Sequence, residues 1–406
     1  MLKREASVTV NRINKTFRVL LVSGPRQVGK TTLLKEYLPT GMNYVTLDDE
    51  VLRREAKENP KIFLEDHKWP ILIDEVQYAP ELFPYIKMIV DEENKRGMFW
   101  LTGSQQIKLM KNVQESLAGR VGIVKLNSLT YSEIVQNEIK KVFEPDKLER
   151  NDEYINVNKL YEQIFLGGMP ELYNVPELNK SDYFYAYVET YLAKDVKDQL
   201  DILDTNTFKN FMISVATRNG EQLNYNNIAR EIGISDKTVK AWLNILINSG
   251  IIYLLEPFMN TKLKRVTHMP KIVFMDTGLC SYLAGWDSAR DLQLSEVSGH
   301  YLETYIISEI IKSYNSIGKD PKISYYRDKE KNEIDLIMEK NNKVYPFEIK
   351  KTGNPNRNMI SNFDKLNNIN KKIEPGGIIC CYNELMHLDE KNYIIPISSV
   401  INLKNK

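Results

Sequence analysis

Short apolar runs alternate with polar, helix-like intervals through residues 17–126. The runs are FRVLLV (17–22), NYVTL (43–47), PILI (70–73), MFWL (98–101) and VGIVKL (121–126). Continuous apolar runs of strand length between helical intervals predict an α/β unit whose parallel sheet is covered on both faces. Residues 130–205 lose this alternation and are rich in Tyr, Leu and Glu, which reads as a helical lid. Further on, Ile228, Ala229 and Ile232 give one helix its apolar face, Gly233 ends it, and Ser235 caps the next. Val239, Trp242, Leu243 and Leu246 then recur at helical spacing, and the strands IIYLL and KIVFM flank the basic stretch TKLKRVTHMPK. From about residue 296 the pattern changes to a helix, a β-hairpin and further strands. The expected divisions are 1–130, 131–205, 206–280 and 281–406, packed closely because no Gly/Ser linker separates them.

Composition narrows the class without deciding it. A chain of 406 residues suggests two to four domains at ~100–200 residues each. The net charge of +1 excludes a general polyanion binder, so any nucleic-acid contact must come from local patches. Cys280, Cys380 and Cys381 form no disulfide framework, and with four scattered histidines they form no zinc site. The N-terminal residues lack the apolar core of a signal peptide, and no apolar run approaches the ~20 residues of a membrane span. The expectation is a soluble, cytoplasmic protein.

Directly after the first strand comes SGPRQVGKTT (23–32), which fits G-x-x-x-x-G-K-[ST]. Gly24, Pro25, Arg26, Gln27, Val28 and Gly29 would wrap backbone N–H groups around phosphates at a helix N-terminus, where the dipole favours anions. Lys30 would supply charge to the terminal phosphates of ATP, the Thr31 hydroxyl would ligate Mg2+, and Thr32 closes the loop. PILIDEVQ (70–77) ends an apolar strand in two acids at the sheet edge where ligands of open α/β sheets bind. Asp74 is expected to hold the Mg2+, and Glu75 to orient the attacking water. LTGSQQ places Ser104 at the end of the next strand as a γ-phosphate contact, against the competing reading of a plain turn at Gly103.

GPRQVGKTT, ILIDEVQ, LTGSQQ and SLAGRV, in this order, resemble the bacterial and archaeal AAA+ ATPases that carry a restriction-endonuclease-like C-terminal domain of unknown function. The resemblance implies that Arg120 is an arginine finger reaching a neighbour's site, and hence a homo-oligomer. The lid's sensor would fall at Lys194, where an arginine is expected. Residues 224–258 and the following strand resemble a winged helix, with Lys237, Thr238, Lys240 and the wing residues Lys262, Lys264 and Arg265 facing DNA. The competing reading is a protein-interaction or lid element.

NEIDLIMEKNNKVYPFEIKK (332–351) predicts a hairpin turning at Asn341-Asn342. In that register Ile334, Leu336 and Met338 face Ile349, Phe347 and Tyr345, while Asp335 lies opposite Glu348 with Lys350 nearby. Opposed carboxylates repel unless a cation lies between them. Glu303 falls within the buried stripe of the helix YLETYIISEIIKSY, formed by Ile306, Ile307, Ile310, Ile311 and Tyr314. Glu303, Asp335 and Glu348 are thus candidate ligands for Mg2+ or Mn2+, with Lys350 as a catalytic partner, an arrangement resembling the PD-(D/E)XK nuclease core. The competing reading is a solvated hairpin with Glu333 pairing Lys350. The expected function is an Mg-dependent ATPase coupled to DNA binding, with metal-dependent DNA cleavage left open. Its alternatives are a nucleotide-switched scaffold with an inactive nuclease fold, and a protein-remodelling ATPase.

Overall fold

The computed structural model describes residues 2–103, 113, 115–136, 142–151, 154–191, 205–258, 269–369 and 371–401. Ser104, Lys194, Lys262, Lys264 and Arg265 lie outside the described residues.

The five apolar runs become β1 (Val19–Ser23), β2 (Asn43–Thr46), β3 (Ile71–Asp74), β4 (Phe99–Gly103) and β5 (Val121–Lys125). They form one parallel sheet in the order β2-β3-β4-β1-β5. Side chains alternate across it. Leu20, Val22, Leu72, Trp100 and Val124 enter one core, and Val19, Leu21, Ile71, Ile73, Phe99 and Leu101 enter another. Burial on both faces explains why these strands read as unbroken apolar runs. The parallel order also brings the C-terminal ends of β1, β3 and β4 to one edge, where the loops meet.

Helices Val157–Leu166, Lys180–Tyr191 and Thr205–Ala216 pack on the first of these cores. Helices Tyr225–Ile232 and Asp236–Asn248 join across Gly233, whose φ of 76° suits a residue without Cβ, and Ser235 accepts the Thr238 N–H at 3.0 Å as the second helix's cap. Trp242 from the second helix meets Phe208 and Phe211 at 5.1 and 5.5 Å between ring centroids. An antiparallel pair follows, β6 (Ile252–Leu255) and β7 (Lys271–Phe274).

The last third is a mixed sheet of β8 (Ile323–Arg327), β9 (Glu333–Lys340), β10 (Lys343–Lys350), β11 (Lys372–Ile373), β12 (Gly377–Cys380), β13 (Met386–His387) and β14 (Tyr393–Pro396). Its order is β13-β14-β12-β10-β9-β8, with β11 beside β10. The long helix Ser298–Ser316 is buried on nearly every side, including the polar residues Thr304, Ser308, Glu309 and Lys312.

The β9–β10 hairpin turns at Asn341 and Asn342, with φ of 51° and 62°. Leu336 pairs Phe347 and Met338 pairs Tyr345, as the sequence pattern predicts. The ladder ends at Leu336–Phe347, and the expected Ile334–Ile349 pairing on the same face does not form. On the β8 side, Ser324 pairs Ile337 but Tyr326 pairs Ile334, so two residues of β9 oppose one of β8. This bulge flips the strand's facing: Ile334 joins Ile337 and Val344 in a third core, while Leu336 and Ile349 stay in the first. Asp335 sits in the bulge, where its carboxylate accepts the Ile349 N–H at 2.8 Å.

Candidate functional site

The phosphate loop leaves β1 with Gly24 at φ 153° and re-enters a helix at Lys30 through Gly29 at φ 88°. A Cβ on Gly24 would lie 1.9 Å from the Leu126 carbonyl oxygen, so the loop runs flush against the exit of β5. Lys30 is buried, and its ammonium donates to the Gly24 and Pro25 carbonyls at 3.1 and 2.7 Å. Residues 43 apart in sequence meet beside it: the Thr31 hydroxyl donates to both Asp74 carboxylate oxygens at 3.1 and 2.9 Å. Thr102 from β4 donates to Asp74 Oδ1 at 2.9 Å, and Tyr44 approaches Oδ2 at 3.4 Å. Asp74 is therefore oriented from three strands, counting its own. Glu75 follows at φ 54° and accepts a hydrogen bond from Gln77 Nε2.

Two cavities flank the loop. One of about 460 Å³ is lined by Arg26, Gln27, Lys30, Thr31, Glu75 and the helical Thr190. The other, about 610 Å³, has a largely apolar wall from Val28, Leu33, Leu129, Pro170, Leu178 and Tyr183. Thr32 and Gly29 line both, so the cavities share the loop.

Sequence reasoning missed Arg4. It is buried above the loop and donates to the Val28 and Asn127 carbonyls at 2.6 and 2.7 Å and to Glu133 Oε1 at 3.0 Å. Glu133 also closes a capping box with Thr130 and accepts the Glu5 N–H at 2.8 Å. Glu5 touches Ser132 and the Ser316 hydroxyl of the long helix. Burial and the Glu133 carboxylate push Glu5 up to about 7. No local motif marks an arginine so far upstream of the loop.

Arg120 lies before β5 as expected, but within its own subunit it forms a forked pair with Asp91, Nε to Oδ1 at 2.6 Å and an outer N–H to Oδ2 at 2.7 Å. That pairing holds the Asp91 carboxyl below its ordinary range. Lys237 and Lys240 are exposed on their helix and Thr238 is half-buried.

The C-terminal residues Glu303, Asp335, Glu348 and Lys350 are brought together and largely buried, with two lysines among them. Lys350 Nζ lies 2.7 Å from Asp335 Oδ2 and 2.6 Å from Glu348 Oε2. Lys271 Nζ lies 2.6 Å from Glu303 Oε1 and 2.6 Å from Glu333 Oε1. Glu333 thus pairs Lys271 and Arg327 (2.8 Å) in place of Lys350. Burial and the facing Asp335 push Glu348 up to about 9, and burial pushes Glu303 up to about 7 against the pull of Lys271. Burial also acts to raise Asp335, but Lys350, Lys271 and the Ile349 N–H together hold it below its ordinary range. Among the described residues, no group of three or more His, Cys, Asp or Glu side chains is arranged to hold a metal ion. Lys271 was also missed; its signal was a lysine opening the otherwise apolar strand KIVF.

The loop, the acid-ended strand and the parallel sheet define a P-loop nucleotide-binding domain, and residues 16–135 match the AAA domain family. Residues 16–135 are thus an AAA-type ATPase domain. Residues 157–290 and 298–400 match two families described as domains of unknown function, DUF8612 and DUF4143. Among curated proteins, the chain is similar to the uncharacterized proteins Rv2008c of Mycobacterium tuberculosis and Mb2031c of Mycobacterium bovis. Each is 25% identical over 354 residues, covering 87% of this chain and 75% of the relative. Among solved structures it is similar to the Thermotoga maritima RuvB Holliday junction branch migration motor, at 15% identity and a TM-score of 0.28 over 61% of this chain and 87% of that one. It is also similar to the Pyrococcus horikoshii signal-transduction ATPase PH0952, at 15% identity and a TM-score of 0.26 over 79% and 48%. Among the described residues, no helix is long and apolar enough to cross a membrane.

Proposed function

We propose that this chain hydrolyses MgATP with water to ADP and phosphate, and couples that cycle to DNA as a cytoplasmic homo-oligomer. The observation that carries the hydrolysis reading is the hydrogen bonding of Thr31 to Asp74 beside a 460 Å³ cavity that Lys30, Thr31 and Glu75 line. The Thr31 hydroxyl and Asp74 carboxylate are hard oxygen donors, the type Mg2+ takes, and Mg2+ held there would neutralise charge on the phosphates. Gly24 to Thr32 would wrap the phosphates, and the neighbouring apolar cavity offers a wall for the base. Ser104 is assigned to the γ-phosphate, and Arg120 to a neighbour's site.

For the DNA half of the reading, 206–280 is assigned a winged helix; the exposed Lys237 and Lys240 of its second helix suit backbone phosphates. The C-terminal residues 281–406 are assigned a restriction-endonuclease-like fold. A specific observation favours its non-cleaving form: lysine ammoniums, rather than open carboxylates, fill the space between Glu303, Asp335 and Glu348.

Phosphate release should be measured with and without DNA at low salt, where phosphate contacts are strongest. Lys30→Ala is expected to abolish nucleotide binding or turnover, Glu75→Gln to bind ATP and retain it, and DNA to change the wild-type rate. Wild-type turnover in both variants would overturn the site assignment. Absence of DNA binding at low salt would replace DNA with a protein substrate. Nicking of supercoiled DNA with Mn2+, lost in Lys350→Ala, would overturn the non-cleaving form.

A further inference from the structure

The C-terminal acids come from three elements: Glu303 from the long helix, Glu333 and Asp335 from β9, and Glu348 from β10. Carboxylates gathered away from water require positive charge among them. A divalent cation, which the nuclease-like resemblance implies, would supply it, but lysines already hold one oxygen of each acid, and Glu348 Oε1 is left buried with no hydrogen-bond partner. The Glu303 oxygen that faces the cluster accepts Lys271, Asp335 Oδ2 accepts both Lys350 and the Ile349 N–H, and Glu348 Oε2 accepts Lys350.

Lys271 arrives from outside this domain. It opens β7, pairs with Leu255 of the antiparallel β6, and bridges Gln222 in the segment before the Tyr225–Ile232 helix. Its side chain is 3% exposed, as deep as a core residue. The contacts around it continue the junction. Its ammonium lies 5.3 Å from the Tyr325 ring, whose hydroxyl donates to the Met269 carbonyl at 2.5 Å and accepts from Gln222 Nε2 at 2.7 Å. The chain leaving β6 then bonds β8, Phe258 N–H to the Tyr325 carbonyl at 2.6 Å and Tyr325 N–H to the Glu256 carbonyl at 3.1 Å.

We infer that Lys271 is the resident counter-ion of the Glu303 and Glu333 side of this cluster, as Lys350 is of Asp335 and Glu348, and that it fastens the β6–β7 pair to the C-terminal domain. Docking of that pair and divalent-metal binding then compete for the same carboxylates. A cation can enter only as Lys271 withdraws, and a docked pair keeps the cluster metal-free.

The test is Mn2+ titration of the full-length, nucleotide-free protein, following free Mn2+ by electron paramagnetic resonance. Lys271→Met is expected to bind one Mn2+ at least ~10-fold more tightly than wild type, a difference of ~1.4 kcal/mol. Adding Asp335→Asn to Lys271→Met should remove the gain. Wild-type protein that already binds Mn2+ in a manner abolished by Asp335→Asn would overturn the inference, as would a folded Lys271→Met that gains no affinity. Should Lys271→Met fail to fold, Glu333→Gln removes one of the lysine's two partners at the more exposed side. Amide exchange across 271–274 should then rise several-fold over wild type, and unchanged exchange would overturn the fastening.

Discussion

Gly24→Ala is the sharpest single perturbation of the nucleotide loop. The new methyl would be placed 1.9 Å from the Leu126 carbonyl oxygen and 3.0 Å from its carbon, at a φ of 153°. Leu126 cannot yield cheaply, because its N–H is bonded to the Ser23 carbonyl at 2.8 Å, one residue before the glycine. The loop must therefore retreat by more than ~1 Å, carrying with it the two carbonyls that hold Lys30. Overpacking of this kind costs ~1–3 kcal/mol of stability. A displacement of ~1 Å among positioning groups costs ~100-fold in rate, or ~2.7 kcal/mol of barrier. The expected result is kcat/KM for ATP down ~100-fold with the protein still folded, measured by phosphate release beside circular dichroism melting. Gly41→Ala is the matched control: its φ is 83°, yet nothing lies within 4 Å of the added methyl, so only backbone strain of ~1 kcal/mol should appear. Gly24→Ala turnover within threefold of wild type would refute the reasoning.

Arg120→Ala should lower turnover at least ~100-fold while sparing ATP affinity, if the guanidinium acts on a neighbour's phosphates. Mixing Glu75→Gln and Arg120→Ala subunits should then restore part of the activity, and Asp91→Asn, which releases the forked pair, should raise turnover. Unchanged kinetics in a monomeric Arg120→Ala protein would remove the role. Glu5 predicts a pH slope. Its folded value of about 7 exceeds the ordinary 4.5, so the folded protein holds the extra proton between these values. Stability from this group is fully present below pH 4.5 and is lost as pH rises through 7, by up to ~3 kcal/mol. Urea unfolding of Glu5→Gln at pH 5 to 8 should lack that component, and an unaltered slope would contradict the assignment.

The nucleotide half was legible because its signals are local. Five apolar runs became five strands at nearly the expected positions, and the loop and the acid-ended strand each carry their own spacing. The hairpin turn and two of its cross-strand pairs were legible for the same reason. The bulge at Asp335 was not, because period-2 reasoning assumes a register that an extra residue breaks, and the β9 residue is extra only against β8, which the hairpin's own pattern does not show. Arg4 and Lys271 were illegible for a different reason. Each acts on partners far away in sequence, Arg4 on Asn127 and Glu133 and Lys271 on Glu303 and Glu333. A single charged residue has no periodicity to announce that it is going inward.

The long helix has a consequence for how this chain can be taken apart. In its second turn it carries Glu303 toward the lysine junction, and its later turns serve the nucleotide half. Glu309 accepts the Tyr131 N–H at 2.7 Å, Lys312 donates to the Leu129 carbonyl at 3.3 Å, and Asn315 accepts the Asn127 side chain at 3.0 Å. A scissor cut at the sequence boundary near residue 296 would strip those partners from the segment that follows β5, leaving its carbonyls and N–H groups uncapped beside the phosphate loop. The opposite fragment would begin with a helix buried on nearly every side and suddenly bathed in water. Dissection along the chain therefore does not yield two working halves: the ATPase sheet borrows a wall from residues nearly two hundred positions downstream.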